Sequence, residues 1–265
     1  MFDTLFLAKI LSAGGIVLGL SLLAERVGPR IAGVLSGAPL GVVMVFFFLG
    51  LEVGTAPILA SIPHAIGGLT GTLVFVFVYY RSSLIPFRFG IVISPVVSVL
   101  AFFGVSWLLS RVPFTQGTAL VLTGATALLF GMVFRARIDN LRISWRVRMT
   151  PWVIAFRVGL STFFVVSAIS LAKILGPTWT GLLIGFPMTL LPLLIIVHLT
   201  YSKEHAHALI RNFPIGVVGL ITYLLSVPFT FPAFGVTGGT LASLGVSCLY
   251  FLMLPFILRT KRAER

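Results

Sequence analysis

The sequence predicts an all-α integral membrane protein: nine transmembrane helices in two inverted-topology four-helix repeats joined by a connecting helix. Three observations predict it. The 265 residues are 58% hydrophobic and only 9% charged, against roughly 25% charged in a soluble domain, and the mean hydropathy is +1.13. Lysines and arginines gather at alternate junctions between apolar runs. A glycine–proline motif recurs 148 positions downstream of its first occurrence.

The apolar runs are too long for strands and lack the alternation of a transmembrane barrel. Helices also satisfy their own backbone polar groups in lipid. At ~20 residues per bilayer crossing, the elements follow in order. Leu5 to Ala24 has no basic segment before it, so it reads as a retained helix and not a signal peptide. Ile31 to Gly50 is interrupted by Pro39, and Ile58 to Tyr80 is glycine-rich near its middle. Phe89 to Leu109 completes the first repeat, residues 1–113. Thr118 to Phe134 is the connecting helix, followed by the basic loop "RARIDNLRISWRVR"; together they make up residues 114–150. The second repeat, 151–265, holds Trp152 to Leu175, Thr178 to Tyr201, Ala208 to Phe229 and Phe234 to Leu258. Thr178 to Tyr201 is interrupted by Pro187, as Ile31 to Gly50 is by Pro39.

Charge sets the orientation. Of 19 basic residues, fifteen fall on one side of this layout or in the C-terminal tail, and only Arg111 and Lys173 on the other. Cytoplasmic loops collect Lys and Arg. The expected topology is therefore multi-pass, with the N-terminus outside and the C-terminus cytoplasmic. The net charge of +13 reflects this topology and contact with anionic lipid. Nucleic acid is not an expected partner, because no stacking platform or basic groove motif is present.

Gly28, Pro29, Gly33, Leu35, Gly37 and Pro39 return as Gly176, Pro177, Gly181, Leu183, Gly185 and Pro187. The same offset pairs Lys9 with Arg157, His64 with Asn212, and Gly68 and Gly71 with Gly216 and Gly219. A single connecting helix places the two copies in opposite senses across the membrane. That is a common plan of secondary transporters, whose sites lie at discontinuous helices near the midplane. Pro39 and Pro187 each lie ~12 Å into their spans. Each is expected to bend its helix and free the carbonyl four residues back, at Leu35 and Leu183. The candidate substrate-binding residues are Gly37, Pro39, Gly185, Pro187, Lys9, Arg157, His64 and Asn212. Lys9 and Arg157, the two cations inside spans, mark opposite vestibules that attract an anionic solute, or else snorkel to the nearer interface.

Several function classes are excluded. The six carboxylates all fall at span ends or in loops, so proton coupling falls to His64 or His198. Cys248 is the single cysteine and makes neither an internal disulfide nor a metal site. His205 and His207 lack a third well-spaced ligand, and no metal or cofactor is expected. There is no HExxH, GxSxG or P-loop signature, so the chain is not read as an enzyme.

The stretch "TGLLIGFPMTLLPLLIIVHLTYSKEHA" resembles the central motif of the GlpM-like small inner-membrane proteins. Gly181, Leu182, Phe186, Pro187 and Thr189 fit its short aGL-x-x-x-FPt segment. His198 and Ser202 to Glu204 fit the following histidine and charged turn. In the first half Gly33 and Pro39 remain, whereas Ala38 replaces the aromatic and Gly50 the histidine. The resemblance implies a duplicated, fused version of a four-helix membrane unit. The expected function is secondary transport of a small organic or anionic solute by alternating access. The alternatives are a non-transporting scaffold or accessory protein in envelope biogenesis, or a lipid translocase. The expected partners are the lipid bilayer and a small-molecule solute, and a homodimer is compatible with this layout.

Overall fold

The computed structural model describes residues 11, 14, 15, 33–85, 87–139 and 150–263, apart from the side chains of 87, 88, 157 and 255–263. Among these residues the chain is helical, with no strand. Seven helical elements follow in order: α1 (Leu40–Val53), α2 (Ala56–Ser82), α3 (Phe87–Leu109), α4 (Gln116–Arg137), α5 (Pro151–Ile184), α6 (Leu190–Thr200) and α7 (Lys203–Ala263). Six stretches are long and apolar enough to cross a membrane, beginning with Gly33–Val53, which contains α1. The chain is an all-α, multi-pass membrane protein.

Seven elements are described, against nine expected spans. The expected span Leu5 to Ala24 lies outside the described residues except at 11, 14 and 15. In addition, α5 and α7 each run through a glycine turn and so join two expected spans, while the break at residues 185–189 divides the span Thr178 to Tyr201 between α5 and α6. Straight helices of 34 and 61 residues would reach about 51 and 92 Å, far beyond a ~30 Å hydrocarbon core. Gly176 (φ 77°, ψ 176°) and Gly235 (φ 66°, ψ −172°) fold them back in a left-handed conformation that suits glycine.

The contacts across both turns are antiparallel. Beyond Gly176, the Thr180 hydroxyl donates to the Ala172 carbonyl at 3.1 Å. Beyond Gly235, Ser247 donates to Gly219 and Tyr250 to Ile215, at 2.8 and 2.7 Å. The helix expected to end at Phe229 continues through Pro232 to Phe234 and turns at Gly235.

α2 lies at the centre and packs against α3, α4, α5 and α7. Its glycines let neighbours approach closely, with Phe114 over Gly67 and Phe102 over Gly71. α3 and α4 are peripheral, with exposed apolar faces that include Leu100 and Leu128 and suit contact with lipid. Their starts are set locally. Thr115 and Thr118 form a reciprocal cap at the head of α4. Pro151 occupies the first turn of α5 behind Thr150, whose side chain accepts from the Val153 amide.

The bundle has two distinct ends. One carries Glu52, Arg111 and Lys173. The other carries Arg81, Arg137, Lys203 and Arg211 and is called the basic end below.

Candidate functional site

Both proline motifs interrupt helices. Residues 36–39 leave the helical path between Leu35 and Leu40, and residues 185–189 do so between Ile184 and Leu190. Four backbone hydrogen bonds shape the first interruption: Gly37 to Val34 at 3.1 Å, Ala38 to Leu35 at 2.9 Å, Leu40 to Ala38 at 2.8 Å and Val43 to Pro39 at 2.7 Å, amide to carbonyl. Each has a counterpart 148 residues on: Gly185 to Leu182 at 3.1 Å, Phe186 to Leu183 at 3.0 Å, Met188 to Phe186 at 2.8 Å and Leu191 to Pro187 at 2.9 Å. The Leu35 and Leu183 carbonyls, expected to be free, each accept the amide three residues on. A tight turn captures them where proline removes the usual donor.

Each interruption rests on a helix of the other half. A side chain at Gly37 would collide with Gly216 of α7, and one at Gly185 with Gly68 of α2. Gly33 lies against Leu209 and Asn212, and Gly181 against Ser61 and His64. Shifting either set by 148 positions gives the other.

The two interruptions meet around a cavity of about 30 Å3, room for one or two water molecules. The first contributes Ser36, Ala38 and Gly41; the second contributes Gly185, Phe186 and Thr189. α2 adds Thr72, whose hydroxyl donates to the Gly185 carbonyl. Among the described residues no charged side chain lines this cavity. Its polar groups are hydroxyls and the backbone groups of the two interruptions.

Phe186 forms one wall. Its ring packs among those of Phe75, Phe102, Phe103 and Phe164, at centroid distances of 6.5, 5.1, 6.0 and 4.7 Å. Phe186 and Met188 also border an apolar groove of about 260 Å3 between α3 and α5. The phenylalanine thus separates a lipid-facing groove from the central cavity.

Polar contacts join helices at both ends of the bundle. Glu52 of α1 pairs with Lys173 of α5. At the basic end the Tyr79 hydroxyl and His198 Nδ1 share a hydrogen bond at 3.3 Å, and the Ser83 hydroxyl and His207 Nε2 share one at 2.7 Å. Both histidines are buried. Arg211 donates to the carbonyls of Arg135 at 2.9 Å and Ile138 at the end of α4.

The eight residues singled out in the sequence are placed unequally. Gly185 and Pro187 line the cavity, and Gly37 and Pro39 shape its opposite wall from behind Ser36 and Ala38. His64 and Asn212 do not line it. His64 shares a hydrogen bond with the Val112 carbonyl at 3.3 Å, and Asn212 donates to Ala208 at 2.8 Å. Each is held against the helical segment that precedes one interruption. Lys9 and the Arg157 side chain lie outside the described residues. Sequence reasoning missed Thr72, Phe186 as a partition, and the Tyr79–His198 and Ser83–His207 pairs. The spacing of Thr72, Tyr79 and Ser83 at i, i+7 and i+11 puts them on one helical face, a signal that was legible.

No family model, curated protein or solved structure matches the chain.

Proposed function

We propose that the chain is a secondary transporter of a small organic or anionic solute, working by alternating access of two inverted repeats. The observation that carries this reading is the matched pair of helix interruptions meeting at one cavity. Four equivalent hydrogen bonds and reciprocal glycine contacts support a duplicated unit with a pseudo-two-fold relation. On this reading there are nine spans. The first four and last four form the repeats, and each repeat corresponds to a GlpM-like unit. The N-terminus lies outside, and the basic end faces the cytoplasm of a bacterial inner membrane.

The cavity chemistry supports the substrate class. Ser36, Thr72 and Thr189 offer hydroxyls that can donate to a small polar or anionic solute. A volume of about 30 Å3 suits an occluded conformation between two open ones. Glu52–Lys173 holds the outer end, and the Tyr79–His198 and Ser83–His207 pairs hold the inner end.

The test is a panel of small anions and neutral polar metabolites scored by thermal shift on purified protein, followed by liposome flux of each hit. A transported solute should stabilise the protein and be carried, with flux lost in Thr72→Val and Gly185→Leu. Failure of every solute to bind or move would favour the non-transporting scaffold.

A further inference from the structure

We infer that the groove between α2 and α4 at the basic end is a binding site for one anionic phospholipid. This goes beyond the transport reading and does not depend on it. The groove has a volume of about 640 Å3, within the ~300–1,000 Å3 range of ligand pockets. It lies away from the central cavity and shares no lining residue with it.

Its two parts differ in chemistry. Arg81, at the end of α2, and Arg137, at the end of α4, supply two guanidinium groups at its polar rim. Phe77 and Phe130 stack at 4.9 Å with 14° between their planes and form an aromatic floor. Leu129 and Met132 are 53% and 64% exposed along the wall. The Tyr80 hydroxyl donates to the Arg137 carbonyl at 3.4 Å and ties the two helices together at the rim. Among the described residues neither arginine forms an ion pair, and Asp139, two positions beyond Arg137, is exposed to solvent.

The apolar wall from Leu129 to Ala136 runs about two turns of α4, which a solvated charge patch does not need, and the two arginines beside it call for an anionic group. An anionic phospholipid satisfies both parts. Its phosphate accepts charge-assisted hydrogen bonds from the two guanidinium groups, and its acyl chains run along Leu129, Met132 and Val133. Basic pockets between transmembrane helices at the cytoplasmic side commonly bind such headgroups.

The experiment uses the full chain in detergent, with lipid retention read by native mass spectrometry and thermal shift. Phosphatidylglycerol and cardiolipin are compared with phosphatidylcholine and with inorganic phosphate. The wild type should retain the anionic lipids selectively, and Arg81→Gln with Arg137→Gln should weaken them by roughly 30-fold at about 1 kcal/mol per arginine. Arg135→Gln, on the same helix but outside the groove, should bind as the wild type does. If the double variant does not fold, Ala136→Trp, which fills the groove without changing charge, must give the same loss. Equal retention of phosphatidylcholine, an equal shift with inorganic phosphate alone, or equal loss in Arg135→Gln overturns the inference.

Discussion

Gly37 and Gly185 hold the interruptions in place because neither carries a side chain. Each lies against the backbone of a glycine in the other half. Gly37→Ala and Gly185→Ala should each destabilise the protein by about 1–3 kcal/mol, the usual cost of forcing atoms into a packed site. Gly104 and Gly124 have nothing within 4 Å of an added methyl, so Gly104→Ala and Gly124→Ala should be neutral or stabilise by up to about 1 kcal/mol. Thermal unfolding in one detergent separates the two groups. Thr72→Val is isosteric but removes the donor to the Gly185 carbonyl. Leaving that buried acceptor unpaired should cost about 1–3 kcal/mol, and Thr72→Ser should recover most of it.

The helical elements show which local signals the sequence carried. The interruptions were legible because proline lacks an amide and the motif occurs twice. The fold-back at Gly176 was legible in the Gly-Pro pair that ends one apolar run and begins the next. The fold-back at Gly235 was placed less well: one span was expected to end at Phe229 and the next to begin at Phe234, yet the helix continues through this stretch and its Pro232. Cross-element pairs were not legible. Tyr79 and His198 are 119 positions apart, and no periodicity along one helix reports a partner on another. The same is true of Glu52 and Lys173, which join α1 to α5. Glu52→Lys should loosen that end, and Glu52→Lys with Lys173→Glu should restore it. A thiol at position 189, introduced as Thr189→Cys, should react faster from that side in the single-charge variant and return to the parent rate in the swap.

At the scale of the whole molecule, composition alone indicated a multi-pass helical protein, while the orientation expected from the alternating charges belongs to the proposal. The sequence did not indicate how small the central cavity is, because its volume depends on how side chains from three elements converge. Phe186, Thr72 and Phe213 come from segments far apart in the chain and fill space that the two interruptions would otherwise leave open. On the proposed transport reading, opening either side would part a small set of hydrogen bonds or one ion pair, with the glycine contacts between halves as the pivot.

The most direct test of this account is side-specific thiol accessibility at the cavity. With Cys248→Ser as background, Ser36→Cys and Thr189→Cys would be probed in oriented vesicles with a membrane-impermeant reagent applied to one face at a time. Alternating access predicts that both positions react from both faces. It also predicts that a disulfide between Glu52→Cys and Lys173→Cys abolishes labelling from the Glu52 face while sparing labelling from the basic face. Failure of both positions to react from either face would contradict the account and leave a closed, packed scaffold.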